Sequence, residues 1–323
     1  MDIIGIGTPC MDNLSILDVL PRPNRGANIL ETSRQGGGVT ATAVVASARL
    51  GARAGYVGVA GSCMYGRAIV EDFAYNGVDT SRLVVHEGAC SDFAYILSDL
   101  ETEGRSILYR KGTIRSLIEA DLDRDYITSA KLLHLENCTE ASAIAAQWMR
   151  EAGKKVVYDA SSYSEAVQAF LPHIDIFIAS EFYYNDYVTN CGGTVEKYEE
   201  NCRRIADKGP EVVVFTLGDK GCAGYSKTEG YFEAPGYTVP VRDTVGAGDV
   251  FHGAFLVGLT RGMPMADCAR FSNAVAAIKI GTIGGRAGIP SYETTVKFME
   301  TGVIDPTEID KRVEYYVRCA YGI

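Results

Sequence analysis

Short apolar runs alternate with stretches whose apolar residues recur every three or four positions along most of the 323 residues. The runs at 3–8, 54–60, 132–135, 155–159, 174–179 and 212–217 have the length and content of strands buried on both faces. The stretches 139–151, 194–208 and 265–280 carry helical spacing instead. Strand followed by helix, repeated, predicts a parallel sheet covered by helices, which is the α/β class. The segments 39–51, 250–257 and 265–280 are rich in alanine, glycine and valine, as closely packed helices are.

Two segments break the rhythm. Residues 12–33 hold two prolines and little helical pattern. Residues 83–114 alternate like antiparallel strands, with 93–97 and 106–109 on either side of a turn containing Gly104. Both flank early crossovers of the sheet, so together they are expected to form a small β-layer over one end. That layer reads equally as a lid or as a decorative edge or dimer surface. No repeat or long linker divides the chain, and one domain spanning 1–323 is expected, with lid segments at about 12–33 and 83–114.

Composition narrows the partners. A hydrophobic content of 47% with 22% charged residues is ordinary for a globular protein. The net charge of -10 argues against nucleic acid and anionic membranes, which favour basic surfaces. No apolar run approaches the ~20 residues that span a bilayer. The opening Asp2-Ile3-Ile4-Gly5-Ile6-Gly7 reads as a strand rather than a signal peptide, so a cytoplasmic protein is expected. Nine cysteines without a C-x-x-C pair read as reduced thiols. The four histidines, His86, His134, His173 and His252, lack metal-site spacing.

The richest local signal is Asp243-Thr244-Val245-Gly246-Ala247-Gly248-Asp249, followed by the apolar run 250–257. Its glycines permit a sharp turn. The helical spacing after it makes the turn a helix N-terminus, where free N–H groups and the helix dipole attract an anion. A carboxylate beside an anion cradle is the layout phosphoryl transfer requires, and Asp249 is placed to take a hydroxyl proton. The same dipole favours ionised Asp249, so a weak base is expected. A Gly-Ala-Gly turn also lets a helix pack closely, and on these residues alone that reading stays open.

Other candidates are weaker singly. Gln35-Gly36-Gly37-Gly38 precedes a helix and would admit a ligand to the backbone, with Thr40 or Thr42 offering a hydroxyl; a tight packing loop is the alternative. Its spacing matches neither a dinucleotide fingerprint nor a Walker A loop. Thr216-Leu217-Gly218-Asp219-Lys220-Gly221 ends an apolar strand, where α/β sheets place ligands, though a plain hairpin turn fits equally. Asp12, past the first strand, could accept from substrate hydroxyls. Arg110, Lys111 and Arg115 cluster where they could neutralise phosphate. Otherwise these four are solvated surface groups. His252, one turn after Asp249, reads as a packing or pocket-edge residue.

In this order the pieces resemble the ribokinase-like (PfkB) carbohydrate kinases over nearly the whole chain. The run 243–249 with Gly253-Ala254-Phe255-Leu256 fits that family's C-terminal signature at every defined position. The resemblance implies a three-layer α/β/α sandwich with a central, mostly parallel sheet and a small β-sheet lid. It implies Asp249 as the catalytic base, with Gly246, Ala247 and Gly248 forming the anion hole. Thr216, Gly218 and Gly221 then contact the nucleotide, and Asn273 falls near the adenine. Asp12, Gly37 and Gly38 would hold sugar hydroxyls, with Thr42 standing where asparagine is usual; Arg110, from its place at the end of the lid hairpin, is the candidate cation on the substrate side. ATP and Mg2+ are the implied cofactors, with a monovalent cation such as K+ near Asp243. The family's N-x-x-E element is replaced by Ala179-Ser180-Glu181-Phe182-Tyr183-Tyr184, which leaves Glu181 as the candidate metal ligand. A relaxed element there favours a ketose-like acceptor. The expectation is ATP-dependent phosphorylation of a primary sugar hydroxyl. A nucleoside kinase of the same superfamily and a catalytically silent sugar- or nucleotide-binding protein are the alternatives. Exposed lid strands would also allow a homodimer.

Overall fold

Strand residues alternate between two apolar layers, and that alternation builds the molecule. The computed structural model describes residues 1–99 and 105–323. In chain order its strands are β1 (Ile3–Ile6), β2 (Cys10–Leu17), β3 (Ile29–Gly37), β4 (Ala54–Gly61), β5 (Asp79–His86), β6 (Asp92–Asp99) and β7 (Arg105–Arg110). There follow β8 (Leu132–Leu135), β9 (Lys155–Ala160), β10 (Ile176–Ser180), β11 (Val212–Thr216), β12 (Cys222–Ser226) and β13 (Gly230–Ala234). The helices of the first half are α1 (Val39–Arg49), α2 (Met64–Tyr75), α3 (Arg124–Thr128), α4 (Glu140–Glu151) and α5 (Glu165–Phe170). Those of the second half are α6 (Glu181–Cys191), α7 (Tyr198–Ala206), α8 (Ala247–Thr260), α9 (Met265–Lys279), α10 (Tyr292–Thr301) and α11 (Thr307–Tyr321).

Nine strands form one sheet in the order β13-β12-β11-β10-β9-β8-β1-β4-β5. Seven of them run parallel, and the β12–β13 hairpin adds an antiparallel edge. Successive residues face opposite sides. Ile3, Val157, Ile178 and Val214 join a core with α1, α8 and α9, while Ile4, Val156, Phe177 and Val213 join one with α4, α6 and α7. Helix, sheet and helix make three layers. No described helix is long and apolar enough to cross a membrane.

A second, four-stranded sheet has the order β3-β2-β6-β7. Leu14, Ile16, Ala94 and Ile96 on its inner face pack with Ile283 and Val245, beside the start of α8. Three details differ from the sequence reading. Asp12 lies inside β2 rather than in loose chain past β1. Residues 83–86 belong to β5 of the large sheet, because Leu83 packs into its core. The helix expected from 194 starts at Tyr198, since Tyr184 Oη donates to the Val195 carbonyl (2.7 Å) and Asn201 Nδ2 to that of Thr194 (3.0 Å), pinning that stretch as loop. The turn expected around Gly104 lies outside the described residues.

Candidate active site

The N-terminus of α8 is open towards solvent and braced from behind. Gly246 takes a left-handed φ of 74°, and a Cβ there would meet Gly285 Cα at 2.8 Å, so only glycine fits. A Cβ on Gly248 would meet nothing within 4 Å, which leaves room for a ligand against the backbone. Ala247 N–H donates to the Thr244 carbonyl (3.2 Å) and Val250 N–H to that of Gly246 (3.0 Å). Among the described residues the N–H groups of Gly246, Gly248 and Asp249 have no acceptor. Three free donors at a helix start form an anion cradle.

Asp243 holds the loop behind that cradle. Its carboxylate accepts from Val245 N–H (2.9 Å) and Gly284 N–H (2.8 Å). Fully buried Lys279 donates its ammonium to the carbonyls of Asp243 (3.0 Å) and Val245. Burial pushes Lys279 down to about 8. The sequence reading expects a monovalent cation near Asp243, whereas two carbonyls there already bind a covalently tethered one.

Asp249 overturns the expected weak base. Burial, then the nearby charges of Glu136 and Asp12, raise it to about 7 against the pull of Lys279 and Arg286. Desolvation and like charges act against the helix dipole. Asp12 is buried too and rises to about 6, although the Cys10 thiol donates to it at 3.5 Å and Arg286 opposes the shift. Its carboxylate lies against Gly37 on the neighbouring strand. Glu136, which the sequence reading missed, follows β8 directly. It accepts from Thr8 N–H (2.9 Å) and Thr40 N–H (2.6 Å), tying the end of β1 to the start of α1, and burial raises its pKa. An acid at the carboxyl end of an apolar strand was the available signal. Thr42, buried in α1, receives a 3.4 Å hydrogen bond from Arg286 Nε. Arg286 also donates to the Gly37 carbonyl (3.2 Å) and pairs with Asp72, fixing the backbone around Gly37.

A second group gathers at the ends of β10 to β13. Thr216 closes β11, and Gly218 to Lys220 form a single tight turn that returns through a Leu217 N–H to Gly221 C=O bond of 2.7 Å. Glu181 starts α6, and its Oε2 lies 3.9 Å from where a Gly218 Cβ would stand. Asn273 spends its amide donors on the carbonyls of Ala234 (2.9 Å) and Pro235 (3.1 Å), shaping this rim.

The small sheet reaches over the cradle. Arg105 on β7 donates to Thr244 Oγ1 (2.7 Å), and Arg242 pairs with Glu31 on β3. Below it a cleft of about 340 Å3 is lined by Gly7, Thr8, Asp92, Tyr109, Lys111 and Asn137 among others. Arg110 does not join this group. It sits opposite Phe93, on the face turned away from Ala94 and Ile96, because side chains alternate along the strand. Lys111 reaches the cleft; Arg110 is exposed elsewhere.

Known proteins resemble this chain over most of its length. A profile of the pfkB family of carbohydrate kinases matches residues 10–291. The 5-dehydro-2-deoxygluconokinase of Bacillus subtilis is 26% identical over 318 residues, covering 93% of this chain and 96% of its own. The ribokinase of Haemophilus influenzae is 29% identical over 269 residues, covering 82% and 87%. The structure of Arabidopsis thaliana ribokinase complexed with ribose and ATP superposes with a TM-score of 0.78, at 21% identity, covering 93% of this chain and 98% of that one.

Proposed function

The chain belongs to the pfkB family of carbohydrate kinases, phosphotransferases that use ATP on a sugar hydroxyl, and on that premise we propose a specific reaction. The γ-phosphoryl group of ATP passes to a primary hydroxyl of a ketose or related sugar, with Asp249 as the general base. The observation that carries this is a carboxylate poised near neutrality beside three unpaired helix N–H groups. The acceptor oxygen attacks the γ-phosphorus in line, its proton moves to Asp249, and ADP leaves with the bridging oxygen. The N–H groups of 246–249 stabilise the charge of the transferring group.

Asp12, the backbone at Gly37 and Gly38, and Thr42 orient the acceptor under the small sheet, which acts as a lid. Thr216, Gly218, Gly221 and Asn273 border the nucleotide, for which the ATP bound by the Arabidopsis relative is support. Mg2+ suits this end: Glu181 presents a carboxylate over the Gly218 turn, the hard oxygen donor such an ion takes, and when bound it neutralises phosphate charge. Nine free thiols support a cytoplasmic setting, and the net charge of -10 supports small-molecule rather than nucleic-acid partners. A homodimer through the outer face of the small sheet completes the reading.

A coupled assay with ATP and Mg2+ tests it across hexoses, ketoses including 5-dehydro-2-deoxygluconate, pentoses, sugar phosphates and nucleosides. Turnover on a sugar is expected. Turnover confined to nucleosides assigns the nucleoside-kinase alternative, and ligand binding without turnover assigns a silent binding protein.

A further inference from the structure

Beneath the first turns of α8, the apolar layer between helix and sheet holds three polar side chains that the proposed reaction leaves unused. His134 on β8 shares the helix-facing side of its strand with Leu132, and Asp159 on β9 shares that side with Val157. Register sets His134 opposite Val157, so Asp159 stands two residues nearer the carboxyl ends. His252 descends from α8 onto this pair. Donor atoms of all three lie within 4.8 Å of one another, and the residues are 0%, 5% and 3% exposed. His252 Nε2 approaches Asp159 Oδ2 to 3.2 Å, and the two imidazole centroids are 5.5 Å apart at 38°. Among the described residues, neither ring nitrogen of His134 nor Nδ1 of His252 has a hydrogen-bond partner. Native cores rarely leave three such atoms unpaired in one place.

We propose that His134, Asp159 and His252 form a binding site for a divalent transition-metal ion of the zinc type. Two imidazoles and one carboxylate are the donors Zn2+ takes, and three protein ligands leave a fourth position open. Tetrahedral donors around Zn2+ at about 2.0 Å stand roughly 3.3 Å apart. Asp159 and His252 already meet that spacing at 3.2 Å, and the other donor separations, within 4.8 Å, shorten when the ion binds. Asp159 also borders a cleft of about 250 Å3 with Glu136, Asn137 and Ser161, the side from which an ion would enter. The site is distinct from that of Mg2+, which prefers oxygen donors to imidazole. A bare Asp159–His252 hydrogen bond would account for one contact and leave His134 unexplained.

Cobalt gives a direct readout. The chelator-treated full-length protein is titrated with Co2+, followed by visible absorption, then by competition with Zn2+. One equivalent is expected, with the d–d bands of a four-coordinate nitrogen and oxygen site that Zn2+ abolishes. His134→Gln and His252→Gln should each weaken binding at least tenfold, and circular dichroism establishes that the variants are folded. If they do not fold, the wild-type spectrum decides alone. Absence of stoichiometric binding by the wild type overturns the proposal. So does a thiolate-to-cobalt charge-transfer band, which places the ion on cysteines, or unchanged affinity in both folded variants. Because the signal comes from the ion, the outcome is independent of whether any sugar is phosphorylated.

Discussion

Asp249 gathers its character from residues far away in the chain: Glu136 and Asp12 raise its proton affinity, Lys279 and Arg286 lower it, and burial sets the direction. A base works only when deprotonated, so kcat/KM should rise with pH through about 7 and fall away below it. A pH–rate profile on the best acceptor checks this, and a flat profile from 5 to 9 would contradict it. Asp249→Asn should lower kcat by at least ~10²-fold while leaving ATP binding nearly intact; near-native turnover removes Asp249 from the base role. Lys279 supports a different expectation. Its ammonium already fills the carbonyls of Asp243 and Val245, so wild-type activity should be indifferent to K+. Lys279→Ala empties that place and loosens the loop ahead of the cradle, for which roughly 10²-fold in rate is the expected cost of ångström-scale misplacement. Added K+ or NH4+ should restore part of the loss. A wild type that needs K+, or a variant that no monovalent cation rescues, would refute the idea.

Among elements, the contact between α8 and α1 decides how rigidly the cradle is held. A Cβ on Gly253 would collide with the Ala43 carbonyl, and Ser47 Oγ bridges the carbonyls of Ala43 (2.9 Å) and Gly253 (3.1 Å). Gly253→Ala should therefore cost about 1–3 kcal/mol by overpacking, read as a Tm lower by several degrees; an unchanged Tm would show that the helices part freely. This pair was legible in the sequence because buried parallel strands and small-residue helices leave continuous apolar signals, as β1, β9, β11 and α8 do. Helix α6 was not: Tyr183, Tyr184, Tyr187 and Val188 are buried, but Asn185, Asp186, Thr189 and Asn190 between them blur the periodicity. The strands of the small sheet bury one face thinly, so their pattern gave two segments without their pairing. The glycine turn and Asp249 could be read locally. Lys279 and Arg286 could not, since their meaning lies in contacts between strands, loops and helices distant in sequence, and Glu136 offered only its place after an apolar strand.

At the scale of the molecule, the small sheet has two faces with different work. The inner one meets Ile283, Val245 and Thr244, so closing it over an acceptor shields the cradle from water; ATP should then be hydrolysed slowly without sugar, and acceptor-independent hydrolysis as fast as the sugar reaction would argue against a lid. The outer face is harder to explain in a monomer. Tyr95 and Leu108 are opposed across β6 and β7, both exposed, and Leu30 is exposed on β3 at the other edge. Unpaired edges and open apolar side chains favour association, and a second copy offers the same face to match. If that face pairs, light scattering should give a dimer whose dissociation follows dilution. Leu108→Glu would place one charge from each copy in the contact and should give a monomer that keeps a native circular dichroism spectrum. The distinguishing measurement is made on the pair together: a wild type that stays monomeric at every concentration, or a Leu108→Glu variant that still dimerises, assigns the outer face to something other than a partner copy, while the hydrogen bond of Arg105 to Thr244 would stand unaffected.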